Sequence, residues 1–498
     1  MNDILQKILH QLTYHAEEPM LFSTSVFLWL FLGFTFVYFL LTKKQTARLI
    51  FVTLFSYYFY YKSSGFYFFL LAVVTVSDYL IAGSIYRHRQ DYPEKKHMRK
   101  WLLLLSLFID LGFLAYFKYT NFFAQMIADC IGSNFQPWDI FLPVGISFFT
   151  FQSLSYTIDI YRGQLKPVDS LLSYAFYVSF FPQLVAGPIV RARDFLPQIN
   201  KAPEITDKMM GQGVFFIIIG LIKKCVISDY ISLNYVDRIF DDPSIYSGIE
   251  NLIGAYGYTL QIYCDFSGYS DMAIGIALLL GFHFPLNFKS PFISTSVSEF
   301  WHRWHISFST WIRDYIYISI GGNRKGKLRT YVNLIITMLI GGLWHGASLN
   351  FVAWGGLHGT ALACHKFFRT NIMHHDKQYA SQGVRRFFAM LLTFHFVCFC
   401  FIFFRNVSFE KSMTMISQIA TNLHPELLGN VLEGYKYVML MILFGFITHF
   451  TPASWKDTAV KILTKGGIVL QCAALVVAIY LVIQVKSSTI QPFIYFQF

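Results

Sequence analysis

Residues Ser298 through Gly359 read SEFWHRWHISFSTWIRDYIYISIGGNRKGKLRTYVNLIITMLIGGLWHGASLNFVAWGGLHG. In and just beyond this stretch the basic turn Gly321–Thr330 precedes two apolar runs, Leu334–Trp344 and Ala347–Cys364, and the basic stretch Lys366–Arg386 follows them. Basic loops beside apolar spans mark the cytoplasmic side of a membrane. Both ends of the paired runs therefore face one side, which requires a helical hairpin. Thr330 to His345 covers roughly 22 Å of helix at about 1.5 Å per residue. That places His345 deep in a hydrocarbon layer roughly 30 Å thick.

The rest of the chain agrees with a lipid setting. Of 498 residues, 55% are hydrophobic, 19% aromatic and only 14% charged, against about 25% charged in a soluble domain. Apolar runs succeed one another with short polar breaks, so the expected fold is an all-α polytopic membrane protein. It forms a single membrane domain over residues 1–498, because helices satisfy their own backbone groups in lipid. The net charge of +12 sits in short loops, which points to anionic headgroups and argues against nucleic acid as a partner. The seven cysteines include no CxxC pair and lie mostly in apolar runs. They read as small hydrophobes, with neither a disulfide frame nor a metal site implied. The first twenty residues lack a basic segment followed by a short apolar core, so the span near Leu21–Leu41 is expected to act as a signal anchor.

Working toward the N-terminus, runs at Leu49–Tyr61, Phe66–Tyr86 and Trp101–Phe123 are separated by a tight turn at Lys62–Gly65 and by the basic Arg87–Lys100. With Arg87–Lys100 in the cytoplasm, the Lys43–Arg48 loop falls there too and the N-terminus lies outside. Ile140–Tyr161 and Ser179–Ile199 are punctuated by Pro143, Gly145, Pro182, Gly187, Pro188 and Pro197. They read as broken or re-entrant helices, tolerated where backbone is buried in protein or lines a cavity; proline-kinked spans are the alternative. Gly211–Leu233 is an apolar helix ending near Asp229, and Leu252–Phe284 carries Asp265 and Asp271. A carboxylate at the bilayer centre costs about 2.5–3.5 kcal/mol, so both must face protein, water or headgroups. Their spacing puts them on different helical faces, which excludes a catalytic carboxylate pair. Toward the C-terminus, spans are expected at Phe387–Phe404, Val438–Phe450 and Gly467–Val485.

Two histidines carry the chemical interest. In LIGGLWHGAS, glycines flank His345 and let a substrate or another backbone approach. A neutral imidazole there can take a proton from a hydroxyl attacking an acyl carbonyl. A core histidine bonded across helices is the other reading. His302 and His305 are three apart and so would share a helical face, in a segment made amphipathic by Glu299, Arg303, Arg313 and Asp314. Such a segment lies at the interface or dips into the protein. The usual helical zinc pair is i, i+4, so no metal is expected on these two. His358 and His365 read as structural. No GxSxG, P-loop, GxGxxG or HExxH motif occurs, so no bound cofactor is expected.

Five motifs in order carry a family resemblance: FFPQLVAGPIVR (Phe180–Arg191), YCDFSGYSDMAIG (Tyr263–Gly275), EFWHRWHISFSTWIRDYIYISIGGNR (Glu299–Arg324), GGLWHGAS (Gly341–Ser348) and the ending PFIYFQF (Pro492–Phe498). The chain resembles the membrane-bound O-acyltransferases, MBOAT, and among them the alginate O-acetylation branch. The peptidoglycan O-acetylation and D-alanyl-transfer proteins are more distant relatives. Where relatives often carry Arg or Asn, this chain has His302.

The resemblance implies about 10–12 transmembrane or re-entrant helices around a central tunnel: N-terminal helices over 1–135, a catalytic core over 136–370 and C-terminal helices over 371–498. It also implies catalytic roles for His345 and His305. Trp304, Trp344, Gln183, Ser153, Arg313 and Asp314 are expected along the tunnel. The implied activity moves an acyl group, most simply acetyl, from a cytoplasmic thioester donor (acetyl-CoA or an acyl carrier) toward an extracytoplasmic polysaccharide such as alginate. The site would lie in a bacterial inner membrane, with an SGNH-type acetyltransferase as extracytoplasmic partner. D-alanyl transfer by the same fold, and a polysaccharide transporter using Asp78, Asp110, Asp265 and Asp271, are the alternatives.

Overall fold

The computed structural model describes residues 2–374 and 382–485; the PFIYFQF ending at 492–498 lies outside the described residues. The described chain is helical, with no strand among those residues. It divides into two compact units, one of Met1–Ile217 with Met272–Pro285 and one of Ile218–Asp271 with Leu286–Phe498.

Among the described residues, Gln45–Asp91, Lys96–Ile131, Gly383–Arg405 and Gly467–Val485 are long and apolar enough to cross a membrane. The pair Pro425–Gly434 and Lys436–His449, bent by 94°, adds a fifth if it counts as one span. Ser25–Leu40 is apolar but shorter, at 16 residues.

In the first unit, the break expected at Lys62–Gly65 falls at Gly65 (φ 59°), followed by the 3-10 turn Gly65–Tyr67. Arg48 is not the loop charge expected. It lies inside helix Gln45–Ser64 and is 1% exposed, because its guanidinium donates to the carbonyls of Thr42 (3.2 Å) and Lys201 (2.8 Å). The two proline-rich stretches are broken as read. Helix Ile146–Arg162 begins only after Gly145, whose φ of 75° few other residues adopt. Leu171–Ser179, the single turn Phe181–Leu184 and Ala192–Ile199 replace one continuous span. This irregular backbone is buried in protein, with Phe181 at 0% exposure ringed by Phe34, Phe55 and Phe59 at 5.1–5.7 Å.

In the second unit the chain does not stop near Asp229. It continues through π-helical turns at Ile222–Ser228 and Ser232–Val236 to Asp241. Asp229 is accommodated because Lys224 Nζ reaches it at 2.8 Å, and the same ammonium reaches Asp265 at 2.5 Å. Neighbouring Lys223 pairs with Asp271 at 2.7 Å. Asp265 and Asp271, in the body of helix Gly248–Leu279, thus each meet a lysine, as burial of charge demands.

The hairpin forms as read, from Lys327–His345 and Leu349–Phe367. Its helices close to backbone contact: a Cβ at Gly342 would overlap the Phe351 carbonyl oxygen, and one at Gly355 that of Met338. Small residues permit this approach in apolar surroundings. His345 is the last helical residue before the hairpin connection.

Candidate active site

The hairpin end carries His345 into a wall of rings. It is 2% exposed. Trp354 and Phe404 meet it edge-on with centroids at 5.0 Å, Trp344 lies at 4.9 Å and Phe308 at 5.4 Å. His305, fully buried, stands 6.5 Å from His345 between centroids. It stacks on Phe308 at 4.9 Å and meets the edge of Phe266 at 4.6 Å. Hence the two motif histidines, forty residues apart in sequence, converge within one unit. A water-poor, ring-lined setting of this kind strengthens any polar interaction made inside it.

His302 and His305 do not share a helical face. Helix Val297–Trp301 ends before both, and His305 takes the left-handed conformation (φ 43°, ψ 54°) before helix Ile306–Ile312 begins. A left-handed non-glycine residue stores strain and persists only where its surroundings enforce it. Asn287 does so. Its carbonyl accepts from Ile306 N at 2.9 Å, and its side-chain oxygen accepts from Ser307 N at 3.2 Å and Ser307 Oγ at 2.9 Å. Its amide nitrogen in turn donates to Ser270 Oγ at 3.2 Å. His302 is exposed, with Nδ1 2.6 Å from the Ser298 carbonyl.

The start of this segment is held by Glu299. One carboxylate oxygen accepts from Thr295 N at 2.9 Å and Thr295 Oγ1 at 2.8 Å, and the other from Arg303 Nε at 2.9 Å. Partial burial opposes the charge, but these donors outweigh it and hold the carboxyl below its ordinary value.

The other expected residues divide. Trp344 is at the site, 6.0 Å from His305. Trp304 is buried one shell away, stacked on Phe300 at 5.5 Å and beside Phe401 at 5.3 Å. Arg313 pairs with its neighbour Asp314 at 2.7 Å and has a side chain 55% exposed. Gln183 and Ser153 belong to the first unit. There Gln183 Nε2 donates to the Tyr177 carbonyl at 2.6 Å, while Ser153 donates to Asp78 and contacts the Tyr174 hydroxyl at 3.0 Å. Among the described residues no group of three His, Cys, Asp or Glu side chains is placed to hold a metal. Residues not singled out from sequence are Asn287 and Trp354; no spacing rule flags Asn287, whose partners Ser270 and Ser307 lie 17 and 20 residues away, and Trp354 sits among other apolar residues of its helix.

Residues 104–404 match the model of MBOAT, the membrane-bound O-acyltransferase family, and the chain belongs to that family. It is therefore a multi-pass membrane acyltransferase, and the transporter alternative is set aside. Among individual proteins, the probable alginate O-acetylase AlgI of Pseudomonas syringae pv. tomato is 41% identical over 392 residues, 78% of this chain and 72% of that protein. The peptidoglycan O-acetyltransferase of Helicobacter pylori is 35% identical over 80% of this chain and 79% of that protein. The teichoic acid D-alanyltransferase of Bacillus subtilis is 31% identical over 55% of this chain and 71% of its own length.

Proposed function

We propose that this protein transfers an acetyl group from a cytoplasmic thioester, acetyl-CoA or an acyl carrier, for O-acetylation of an extracytoplasmic polysaccharide such as alginate. The observation that carries the reading is the convergence of His345 and His305 in one buried ring-lined site. The acceptor hydroxyl oxygen bonds to the thioester carbonyl carbon while its proton passes to the His345 imidazole. The carbon–sulfur bond then breaks, and the leaving thiolate takes that proton, giving ester and thiol. His305, held by Asn287 and 6.5 Å from His345 between centroids, orients the reacting groups.

In this reading a tunnel admits the thioester from the cytoplasm and the alcohol from outside, with the N-terminus outside a bacterial inner membrane. An SGNH-type partner then hands the acetyl group to the polymer. Acetyl transfer is preferred over D-alanyl transfer because the similarity to the alginate O-acetylase of P. syringae is higher and covers more of the chain. The test is the acetyl content of surface polysaccharide in cells carrying the wild-type chain or His345→Ala. Acetylation should be lost with the variant present in the membrane at normal level; retained acetylation overturns the reading.

A further inference from the structure

Behind His345 lies a second group of polar rings. Trp354, edge-on to His345 at 5.0 Å, meets His358 at 4.8 Å and Trp301 at 5.6 Å, and Trp301 meets His358 at 5.2 Å. Phe300 stacks on His358 at 6.1 Å and Phe396 meets it edge-on at 5.4 Å. His358 is 0%, Trp354 1% and Trp301 7% exposed. Neither nitrogen of His358, nor the indole nitrogen of Trp354 or Trp301, has a hydrogen-bond partner among the described residues.

A buried donor left unsatisfied costs about 1–3 kcal/mol, and native folds rarely keep several in contact. Indoles only donate, and a neutral imidazole donates once and accepts once. Three N–H groups against one acceptor suit a ligand oxygen that only accepts. Of the groups in the proposed reaction, the acyl carbonyl oxygen fits. The hydroxyl brings its own proton and the thioester sulfur accepts weakly.

We propose that Trp301, Trp354 and His358 bind the carbonyl oxygen of the acyl thioester next to His345. This rests on the acyl-transfer reading above. When the hydroxyl oxygen bonds to the carbonyl carbon, the C=O π pair moves onto that oxygen and the three N–H groups stabilise the negative charge without giving up their protons. The pair returns as the carbon–sulfur bond breaks. Donors aimed at charge that develops in the transition state raise kcat more than they lower KM.

The experiment uses the full chain in membranes of cells that also express the SGNH-type partner of the reading above, with acetyl-CoA as the thioester probe, alginate oligosaccharide as final acceptor, thiol release as the rate and thermal unfolding as the control. His358→Phe and Trp354→Phe keep an aromatic ring and delete the N–H, the second with a smaller ring. Each is expected to lower kcat per folded molecule at least about tenfold with KM for acetyl-CoA little changed; the unfolding temperature should stay near wild type for His358→Phe and fall for Trp354→Phe, whose lost ring leaves a cavity. His358→Gln, which can still donate, should recover part of the rate. Trp354→Phe and His358→Phe both within about twofold of wild-type kcat would overturn the proposal, since the nitrogens would then serve only ring faces or a buried water. Equal rates for His358→Gln and His358→Phe would also overturn it, since the ring would then matter only for packing. His345→Ala separates the two levels. If it is inactive while the phenylalanine variants are normal, the oxygen site alone is wrong; if it is active, the acyl-transfer reading is wrong.

Discussion

Lys224 reaches two carboxylates, Asp265 at 2.5 Å and Asp229 at 2.8 Å, and Lys223 reaches a third, Asp271, at 2.7 Å. In the same unit His345 and His305 are walled by Trp344, Trp354, Phe266, Phe308 and Phe404. Both regions sink polar groups into an apolar chain. The first does so with full charges in contact, two lysines against three carboxylates, which ties the π-turn Ile222–Ser228 to its neighbours. The second does so with imidazoles, which need no counter-charge when neutral, and with rings, which exclude water. In the proposed reading the ion pairs are architecture, and His345 among its rings is where a proton is moved.

The sharpest way to break this contrast is to remove one member of each region. His345→Ala should lower acetyl transfer by about 10²–10⁴-fold, the range for a positioned acid or base, with unchanged unfolding temperature and membrane level. Lys224→Met should do the reverse. It strands Asp265 and Asp229 and should cost about 3–5 kcal/mol of stability, read as a lower unfolding temperature, while the molecules that fold keep their turnover. A Lys224→Met protein that melts normally but is inactive would move the ion network into the chemistry and collapse the distinction.

A smaller effect tests whether the hairpin merely carries His345. Gly355→Ala puts a methyl against the Met338 carbonyl oxygen. Forcing that contact apart should cost about 1–3 kcal/mol in stability. Because His345 lies at the end of the helix being displaced, turnover should fall as well. Unchanged turnover with a lowered unfolding temperature would show that the ring wall, rather than the hairpin contact, sets the position of the imidazole.

The two regions also differ in how far the sequence alone reveals them. The hairpin was readable because its signals are local: basic ends, apolar runs and glycines at the crossing. The breaks at Gly145 and between Pro182 and Pro188 were readable for the same reason. Pairing was not. Asp229 looked like a helix end because its partner Lys224 could not be recognised as one, and the cations of Asp265 and Asp271 come from a different helix. The three-residue spacing of His302 and His305 suggested one helical face, and it failed because Asn287, from an earlier loop, holds His305 in a left-handed turn. Motif resemblance found the histidines, but spacing could not find what orients them.

The smallest expected effect lies where an ion pair sits on the segment leading to His305. Glu299 joins Thr295 and Arg303 but is only partly buried. Its carboxyl is held below its ordinary value in the folded protein, so the stabilisation is present above the unfolded value of about 4.3 and is lost as the pH falls through the lower folded value. Glu299→Gln should therefore lower stability at neutral pH by under about 1 kcal/mol, and the difference from wild type should shrink to nothing in acid. If the pair is architecture only, turnover at neutral pH stays at the wild-type level. If turnover falls several-fold while the unfolding temperature barely moves, the Glu299 cluster positions His305, and charge pairing and proton chemistry are joined along this segment.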